Sequence, residues 1–185
     1  ITGFAMKFQQ FSSPVMAKGY EDTAFYQYHR LISLNEVGGD PRIFGVSVNA
    51  FHSENSKRLE YWPHSMLNTS THDAKRSEDV RARINVLSEI PGSWHKQVLR
   101  WRQLNKNKKL RVNDEEIPSA NDEYLIYQTL AGIWPLGEFT GDKHQALIER
   151  MQAYMLKAVR EAKRHTSWIN PNIAYEEGLS VFIRK

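Results

Sequence analysis

The chain has 185 residues, a formal net charge of +4, 41% hydrophobic and 25% charged residues, and no cysteine. This composition is that of a globular domain and excludes general disorder, while the missing cysteines exclude disulfides, thiolate nucleophiles and cysteine-ligated zinc. No apolar run reaches the ~18–20 residues of a membrane span, and the first ten residues lack a secretory signal. We therefore expect a cytoplasmic protein without membrane contact. Because the chain begins at Ile1 rather than Met, we also expect a processed product or a fragment.

The predicted elements, taken in chain order, are mostly helices. Helical spacing of apolar residues predicts them over 4–11, 21–34, 77–89, 93–104, 119–134, 141–162 and 171–182. Residues 42–56 and 105–118 are predicted loops, and residues 66–72 are compatible with one short strand that has no partner. We expect a mainly α fold: a helical insertion and loop over 1–60, a strand–loop–helix unit over 61–90, and a helical region over 91–185. The lone strand indicates a chain cut from something larger.

Residues 69–81 are the densest cluster of ionisable side chains, at the predicted junction of the strand and the next helix. Strand ends that lead into loops are where barrel enzymes place catalytic groups. Asp73 lies between His72 and the cations Lys75 and Arg76, so we expect it to stay ionised and to suit stabilisation of a cationic transition state. By residue type alone, an aspartate that caps the following helix is the favoured interpretation.

A second charged cluster covers residues 18–26. On a helix its Glu21 and Asp22 point about 100° apart, so they do not form an acid–base pair, and an acidic first turn is the favoured interpretation. The histidines lack metal-ligand spacing, and no metal is predicted. The basic run over 106–111 is interpreted as a solvated loop. Two tryptophans follow an apolar stripe (Trp94, Trp101), and three are freer to face a ligand (Trp62, Trp134, Trp168).

Four stretches of the chain are long enough to compare with known families: FQQFSSPVMAKGYEDTAFYQYHRLISLNEVGGDP (8–41), NTSTHDAKRSEDVRARINVLSE (68–89), DEYLIYQTLAGIWPL (122–136) and YMLKAVREAKRHTSWINPNIAYE (154–176). All four resemble the maltooligosyltrehalose synthase family of the α-amylase superfamily. The resemblance covers nearly the whole chain and is weakest at 42–60 and 100–118.

The resemblance implies a helical segment of a (β/α)₈-barrel enzyme with helical insertions. That enzyme converts the terminal α-1,4 linkage at the reducing end of a maltooligosaccharide into an α,α-1,1 (trehalose) linkage. The segment Ser-Thr-His-Asp is similar to the fourth conserved amylase motif, so Asp73 is expected to stabilise the oxocarbenium-like transition state and His72 to contact the same sugar. Other family motifs match residues with an expected substrate-binding role (Lys75, Arg76, Lys18, Glu21, Asp22). No metal or organic cofactor is implied.

The family's nucleophile Asp and acid/base Glu lie in motifs that no segment of this chain resembles. We therefore expect the 185 residues alone to be inactive, to need the rest of the barrel enzyme, and to expose apolar patches that favour a homodimer. Three alternatives stay open. They are another transferase or hydrolase of the superfamily, a non-catalytic helical module that binds glucan or a protein, and, most weakly, nucleic-acid binding through residues 106–111. We expect neither nucleic acid nor membrane as a partner.

Overall fold

A computed structural model of the chain describes residues 1–112, 114–137 and 140–185. Within these ranges it contains seven α-helices and one antiparallel hairpin, which confirms the mainly α fold class. The elements are α1 (Thr2–Met16), α2 (Val48–Tyr61), α3 (Glu78–Asn85), α4 (Pro91–Asn105), β1 (Leu110–Val112), β2 (Glu115–Ile117), α5 (Ala120–Ile133), α6 (Gly141–Ala162) and α7 (Ile173–Arg184). Across the described ranges, no helix combines the length and the apolar character that a bilayer-spanning segment requires.

The core lies where α3 packs on α5 and α6 packs on α7. Ile84, Leu125, Met155 and Leu179, one from each of these helices, are almost fully buried. Each such side chain stabilises the fold by roughly 1.5–3 kcal/mol relative to exposure. The helices predicted over 77–89, 119–134 and 141–162 are confirmed because their apolar stripes supply this core.

The start of α5 shows the serine half of the capping box expected from its sequence, whereas the N–H of Ser119 donates to the hydroxyl of Tyr175 rather than to Asp122. Ser119 Oγ accepts a hydrogen bond from the backbone N–H of Asp122 at 3.2 Å and donates one to the carboxylate of Asp122 at 2.9 Å. The same carboxylate accepts a short hydrogen bond from the hydroxyl of Tyr175 in α7. The cap therefore also joins α5 to α7.

The predicted strand at residues 66–72 is absent, and the hairpin β1–β2 lies instead in the stretch 105–118 that was predicted to be a loop. A strand needs a neighbour for its backbone hydrogen bonds, and in the described residues β1 and β2 pair only with each other. Residues 66–72 are exposed and form bends and turns. Asn113, within the predicted loop, lies outside the described residues.

Two predictions for the N-terminal third are also wrong. Residues 21–34 form no α-helix but short 3₁₀ turns (Ala24–Tyr26, Ile32–Leu34) after a π-helical turn (Ala17–Glu21). Residues 42–56, predicted to be loop, run into α2, whose first turn is capped by the side chain of Ser47. The helix α2 contains no buried residue, and its exposed apolar residues Val48, Phe51 and Leu59 are spaced too widely for the i, i+3, i+4, i+7 pattern that predicts a helix.

Buried side-chain amides hold the irregular segment 22–36 against α5. Gln128, fully buried in α5, accepts a hydrogen bond from the N–H of Ile32 at 3.0 Å and donates one to the carbonyl of His29 at 2.7 Å. Asn35 donates to the carbonyls of Phe25 and Tyr28 at 2.8 and 2.6 Å. These amides satisfy backbone groups that a helix would have satisfied internally.

The helices α1 and α2 expose much apolar surface. Like α2, α1 contains no buried residue. Its exposed side chains include Phe4, Phe8 and Phe11, and those at the end of α2 include Leu59 and Trp62. Contiguous apolar surface of this kind marks an interaction face.

Gly178 in α7 provides a test of the packing. A Cβ atom there would lie 2.8 Å from Ile117 Cγ2, whereas a Cβ on Gly92, at the start of α4, would meet nothing within 4 Å. We expect Gly178→Ala to lower the free energy of unfolding by about 1–2 kcal/mol, because crowding of the core outweighs the gain in helix propensity. Chemical denaturation measures this value.

Gly92→Ala is the matched control, since it adds the same methyl group in open space. It should leave the stability unchanged or raise it by up to about 1 kcal/mol. Equal effects of the two substitutions would contradict the close packing of α7 on β2.

Candidate functional site

The His-Asp loop, which we define as residues 69–77, connects the region after α2 to α3. Its conformation comes from local bonds, because Ala74 N–H donates to the carbonyl of Thr71 at 3.2 Å and Asp73 N–H donates to Thr71 Oγ1 at 3.3 Å. Ser70 Oγ accepts from the N–H of Glu78 at 3.0 Å.

Asp73 does not cap α3. The N-cap position is Ser77, and Ser70 supplies the oxygen that accepts from the first helical N–H. The helix-cap interpretation of Asp73, favoured by residue type, therefore does not describe the fold. His72 and Asp73 are exposed, and neither side chain hydrogen-bonds to any residue of the described ranges.

Asp22 joins two lysines beside this loop. Its Oδ2 accepts from Lys18 Nζ at 2.6 Å, and its Oδ1 accepts from Lys75 Nζ at 2.7 Å. Hydrogen bonds from Lys18 and then Lys75 lower the pKa of Asp22 below its ordinary value of 3.8. The hydrogen bond to Asp22 raises the pKa of Lys18 in turn, and the negative charge of Asp73 adds a smaller contribution. The structure thus brings Lys18, Asp22 and Lys75 together, with Asp73 near enough to act on Lys18 through its charge.

Arg76 and Glu21, the other two residues with an expected substrate-binding role, contact different groups. Arg76 turns inward, donating from Nη1 to the carbonyl of Ile32 at 3.0 Å and from Nη2 to the hydroxyl of Tyr154 at 2.7 Å. Glu21 accepts from the N–H of Gly38 at 3.1 Å and so holds the turn that follows the segment 22–36. Both are contacts that shape the surroundings of the loop.

Glu36 also contacts the His-Asp loop, although no sequence pattern identifies it as a site residue. Its carboxylate accepts from the N–H groups of Lys75 and Arg76 at 2.7 and 3.2 Å. Glu36 lies just before the glycine-rich turn at Gly38 and Gly39. A carboxylate just before such a turn indicates a site residue only when its hydrogen-bond partner is known. Lys75, one of the partners of Glu36, lies 39 residues away in the chain.

A cleft with a volume of 570 Å³ opens from Tyr20, which lies between Lys18 and Asp22 in the chain. Tyr28, Asp40 and Arg42 also line it, and Arg42 holds Asp40 through two parallel hydrogen bonds, from Nε at 2.9 Å and from Nη2 at 2.7 Å. This bidentate pairing lowers the pKa of Asp40 to about 2. The described residues contain no group of three or more His, Cys, Asp or Glu side chains that could hold a metal ion.

The basic run over 106–111 is not a solvated loop. Lys109 is buried and pairs with the fully buried Glu123 at 2.8 Å. Lys108 donates to the backbone carbonyl of Lys185 at 3.0 Å. Two of the four cations of the run thus contact other parts of the fold, so the run does not form the single exposed stripe that nucleic-acid binding requires.

The tryptophans fall into the two groups predicted from the sequence, one packed against the core and one exposed. Trp94 and Trp101 pack edge to face with ring centroids 5.7 Å apart, and both are half-buried. The exposed ones are Trp62, Trp134 and Trp168.

Comparison with known proteins shows that the chain is similar to one segment of proteins that are several times longer. A putative maltooligosyl trehalose synthase of Mycobacterium tuberculosis is 43% identical over 173 residues, which are 94% of this chain and 21% of the relative. The crystal structure of a hypothetical maltooligosyl trehalose synthase of Sulfolobus tokodaii matches 97% of this chain and 23% of its own, with 44% identity and a TM-score of 0.82. The maltooligosyltrehalose synthase of Arthrobacter ramosus matches at 41% identity with a TM-score of 0.80, over 97% of this chain and 21% of its own.

The chain is therefore similar, along nearly its whole length, to one segment of maltooligosyl trehalose synthases, and the resemblance seen in the sequence is confirmed. It spans about a fifth of the length of these relatives. No family model matches the chain.

Asp22 allows a test of the cluster through pH. Because its pKa is lower in the folded chain than in the unfolded chain, its pairing stabilises the fold above about pH 5, and this stabilisation disappears as the pH falls through the lowered pKa. Asp22→Asn should cost about 1 kcal/mol at pH 7, with a difference from the unmodified chain that shrinks as the pH falls below 3.8 and through the lowered pKa of Asp22. Urea unfolding over this pH range measures the difference.

Glu89→Gln, on the exposed end of the turn after α3, controls for the loss of one surface charge and should change the stability by less than about 0.5 kcal/mol. An Asp22→Asn cost that stays constant down to pH 3 would contradict the ion-pair assignment.

Proposed function

We propose that this segment forms one side of the active site of a trehalose-forming intramolecular glucosyltransferase. In the intact enzyme, the terminal α-1,4 linkage of a maltooligosaccharide becomes an α,α-1,1 linkage. The observation that carries the proposal is the exposed His72–Asp73 pair, held beside two lysines, in a chain whose relatives are maltooligosyl trehalose synthases. The catalytic domain is a (β/α)₈ barrel of the α-amylase superfamily, located in the cytosol.

The proposed chemistry needs three carboxyl groups. An acid/base carboxyl protonates the glycosidic oxygen while a nucleophilic carboxylate bonds to the anomeric carbon, and the sugar passes through an oxocarbenium-like transition state. Asp73 is the third carboxylate, whose fixed negative charge stabilises that positive charge. In the second step the anomeric hydroxyl of the released glucose attacks the anomeric carbon of the glycosyl–enzyme, the bond to the nucleophilic carboxylate breaks, and the hydroxyl proton returns to the acid/base residue.

The cations near Asp73 suit the acceptor side of this reaction. His72, by contrast, contacts hydroxyls of the sugar that carries the positive charge, which is not the released glucose. Lys18 and Lys75 are fixed by Asp22, so they offer positioned donors to the released glucose while it turns for the second attack. Arg76 and Glu21 support the same region from behind, through Tyr154 and Gly38.

The exposed faces of α1 and α2 support a larger assembly. Side chains such as Phe8 and Trp62 would pack against the rest of the barrel enzyme, which supplies the nucleophile and the acid/base residue. In the isolated chain the same faces favour a homodimer.

Asp73→Asn tests the assigned role in the full-length gene product that contains these residues. The amide keeps the shape of the side chain but not its negative charge, so turnover should fall by at least about a hundredfold while the melting temperature stays within a few degrees. Trehalose-terminated product formed from maltopentaose measures turnover.

Asp79→Asn is the control, since Asp79 is an exposed aspartate in the first turn of α3, six residues along the chain. Its turnover should match that of the unmodified enzyme. Near-normal turnover of Asp73→Asn would refute the proposal.

The 185 residues expressed alone should form no trehalose-terminated product, because two of the three carboxyl groups are expected elsewhere. Incubation of the purified chain with maltopentaose, followed by product chromatography, tests this expectation. Product at any rate above a blank would contradict the division of the active site. Glucan binding by the chain that survives Asp73→Ala would favour a non-catalytic binding module instead.

A further inference from the structure

Glu36 contacts the His-Asp loop at the point where the loop leads into α3. Its Oε1 accepts from the N–H of Lys75 at 2.7 Å and from that of Val37 at 3.0 Å, and its Oε2 accepts from the N–H of Arg76 at 3.2 Å. The side chain is only 16% exposed, and it pairs with Arg81 Nη1 at 3.5 Å.

Arg81 extends this contact to the other end of the loop. From its place in α3, its second terminal nitrogen donates a short hydrogen bond to the carbonyl of Thr69. Glu36 and Arg81 together therefore hold the loop at Thr69 on one side of His72 and Asp73, and at Lys75 and Arg76 on the other. Between these points the described residues fix the loop through the turn at Thr71 and through Ser70 Oγ, which accepts from the N–H of Glu78.

The carboxylate is suited to this position by charge as well as by shape. Lys75 and Arg76 present consecutive N–H groups outside any helix or strand, and hydrogen bonds from N–H groups to a carboxylate are stronger than those to a neutral oxygen. Glu36 itself cannot shift easily, because its carbonyl accepts from the N–H of Gly39 at 2.8 Å and its neighbour Asn35 is buried. A Cβ on Gly39 would lie 2.9 Å from that carbonyl oxygen, so the turn requires glycine there.

We propose that Glu36 is a positioning residue, which fixes the His-Asp loop so that Asp73 meets the transition state at the correct distance. This inference rests on the function proposed above. Glu36 touches no substrate and acts through the backbone of Lys75 and Arg76. Displacement of a catalytic group by about 1 Å can cost up to a hundredfold in rate, so loss of these bonds should affect turnover.

A residue that positions the loop and a residue that only stabilises the fold are expected to affect kcat, KM and the melting temperature differently. Asp73 is proposed to act on the transition state, so a displaced loop should lower kcat and leave KM nearly unchanged. A residue that merely stabilises the fold would lower the melting temperature and the yield of folded enzyme, with normal kcat per folded molecule.

The experiment compares Glu36→Gln and Glu36→Asp with Glu54→Gln in the full-length gene product. Glu54 is an exposed carboxylate in α2 that pairs only with Lys57 among the described residues, so its substitution controls for lost charge. The measurements are kcat and KM on maltopentaose per folded enzyme, the melting temperature, and hydrogen exchange of the amides of residues 75 and 76.

We expect Glu36→Gln to lower kcat at least about tenfold, change KM less than threefold, and speed exchange of both amides at least about tenfold, while Glu54→Gln changes none of these. Should Glu36→Gln fail to fold, Glu36→Asp, which keeps the charge on a shorter side chain, is expected to show the same split between kcat and KM.

Normal kcat in the folded Glu36 variants would overturn the inference, whether or not the amides exchange faster. Asp73→Asn, measured in parallel, distinguishes a failure of the positioning role of Glu36 from a failure of the proposed function. If Asp73→Asn is impaired and the Glu36 variants are normal, the positioning role alone fails. If Asp73→Asn is normal, the proposed function fails.

Discussion

The buried amide of Gln128 is the contact on which the arrangement of the site depends. Residues 22–36 follow no regular helix, so their backbone groups need partners from elsewhere, and a buried unpaired group would cost about 1–3 kcal/mol. Gln128 satisfies two of them at once, at Ile32 and His29. Because α5 is a rigid core helix, this fixes the whole segment, and the segment carries Asp22 near one end and Glu36 at the other.

Both of these carboxylates then reach the same short loop from one side. Asp22 binds the side chain of Lys75, and Glu36 binds its backbone N–H, so this lysine is held at two points. His72 and Asp73 precede it and have no such restraint on their side chains. The result is a fixed backbone around two exposed polar side chains; in the proposed function, the rest of the enzyme covers them and excludes the water that would weaken electrostatic stabilisation.

The sequence predicted the regular core well and the surroundings of the site poorly. The helices α3, α5 and α6 follow from apolar periodicity, and the start of α5 from its capping box, because these signals are local. The segment 22–36 could not be predicted, since its shape depends on the amide of Gln128, 96 and 99 residues from its partners Ile32 and His29, as well as on the amide of Asn35 within the segment. The absence of a strand at 66–72 has a similar cause: strand formation depends on a neighbour that no local pattern specifies. Asp73, Lys75 and Asp22 were found through family motifs, whereas Glu36 is recognised only from its contacts.

The buried ion pair of Lys109 and Glu123 links the hairpin to α5, and this link is less sensitive to ionic strength than the exposed ion pairs of the outer helices. Dissolved ions screen exposed charges over about 8–10 Å at physiological salt, but they cannot enter the space between two side chains that are almost completely shielded from water. Pairs such as Lys57 with Glu54 on α2 therefore weaken in concentrated salt, while the link from the hairpin to α5 persists. As the salt concentration rises, the ion pairs on the surface of this molecule would therefore weaken before the ion pair in its interior does.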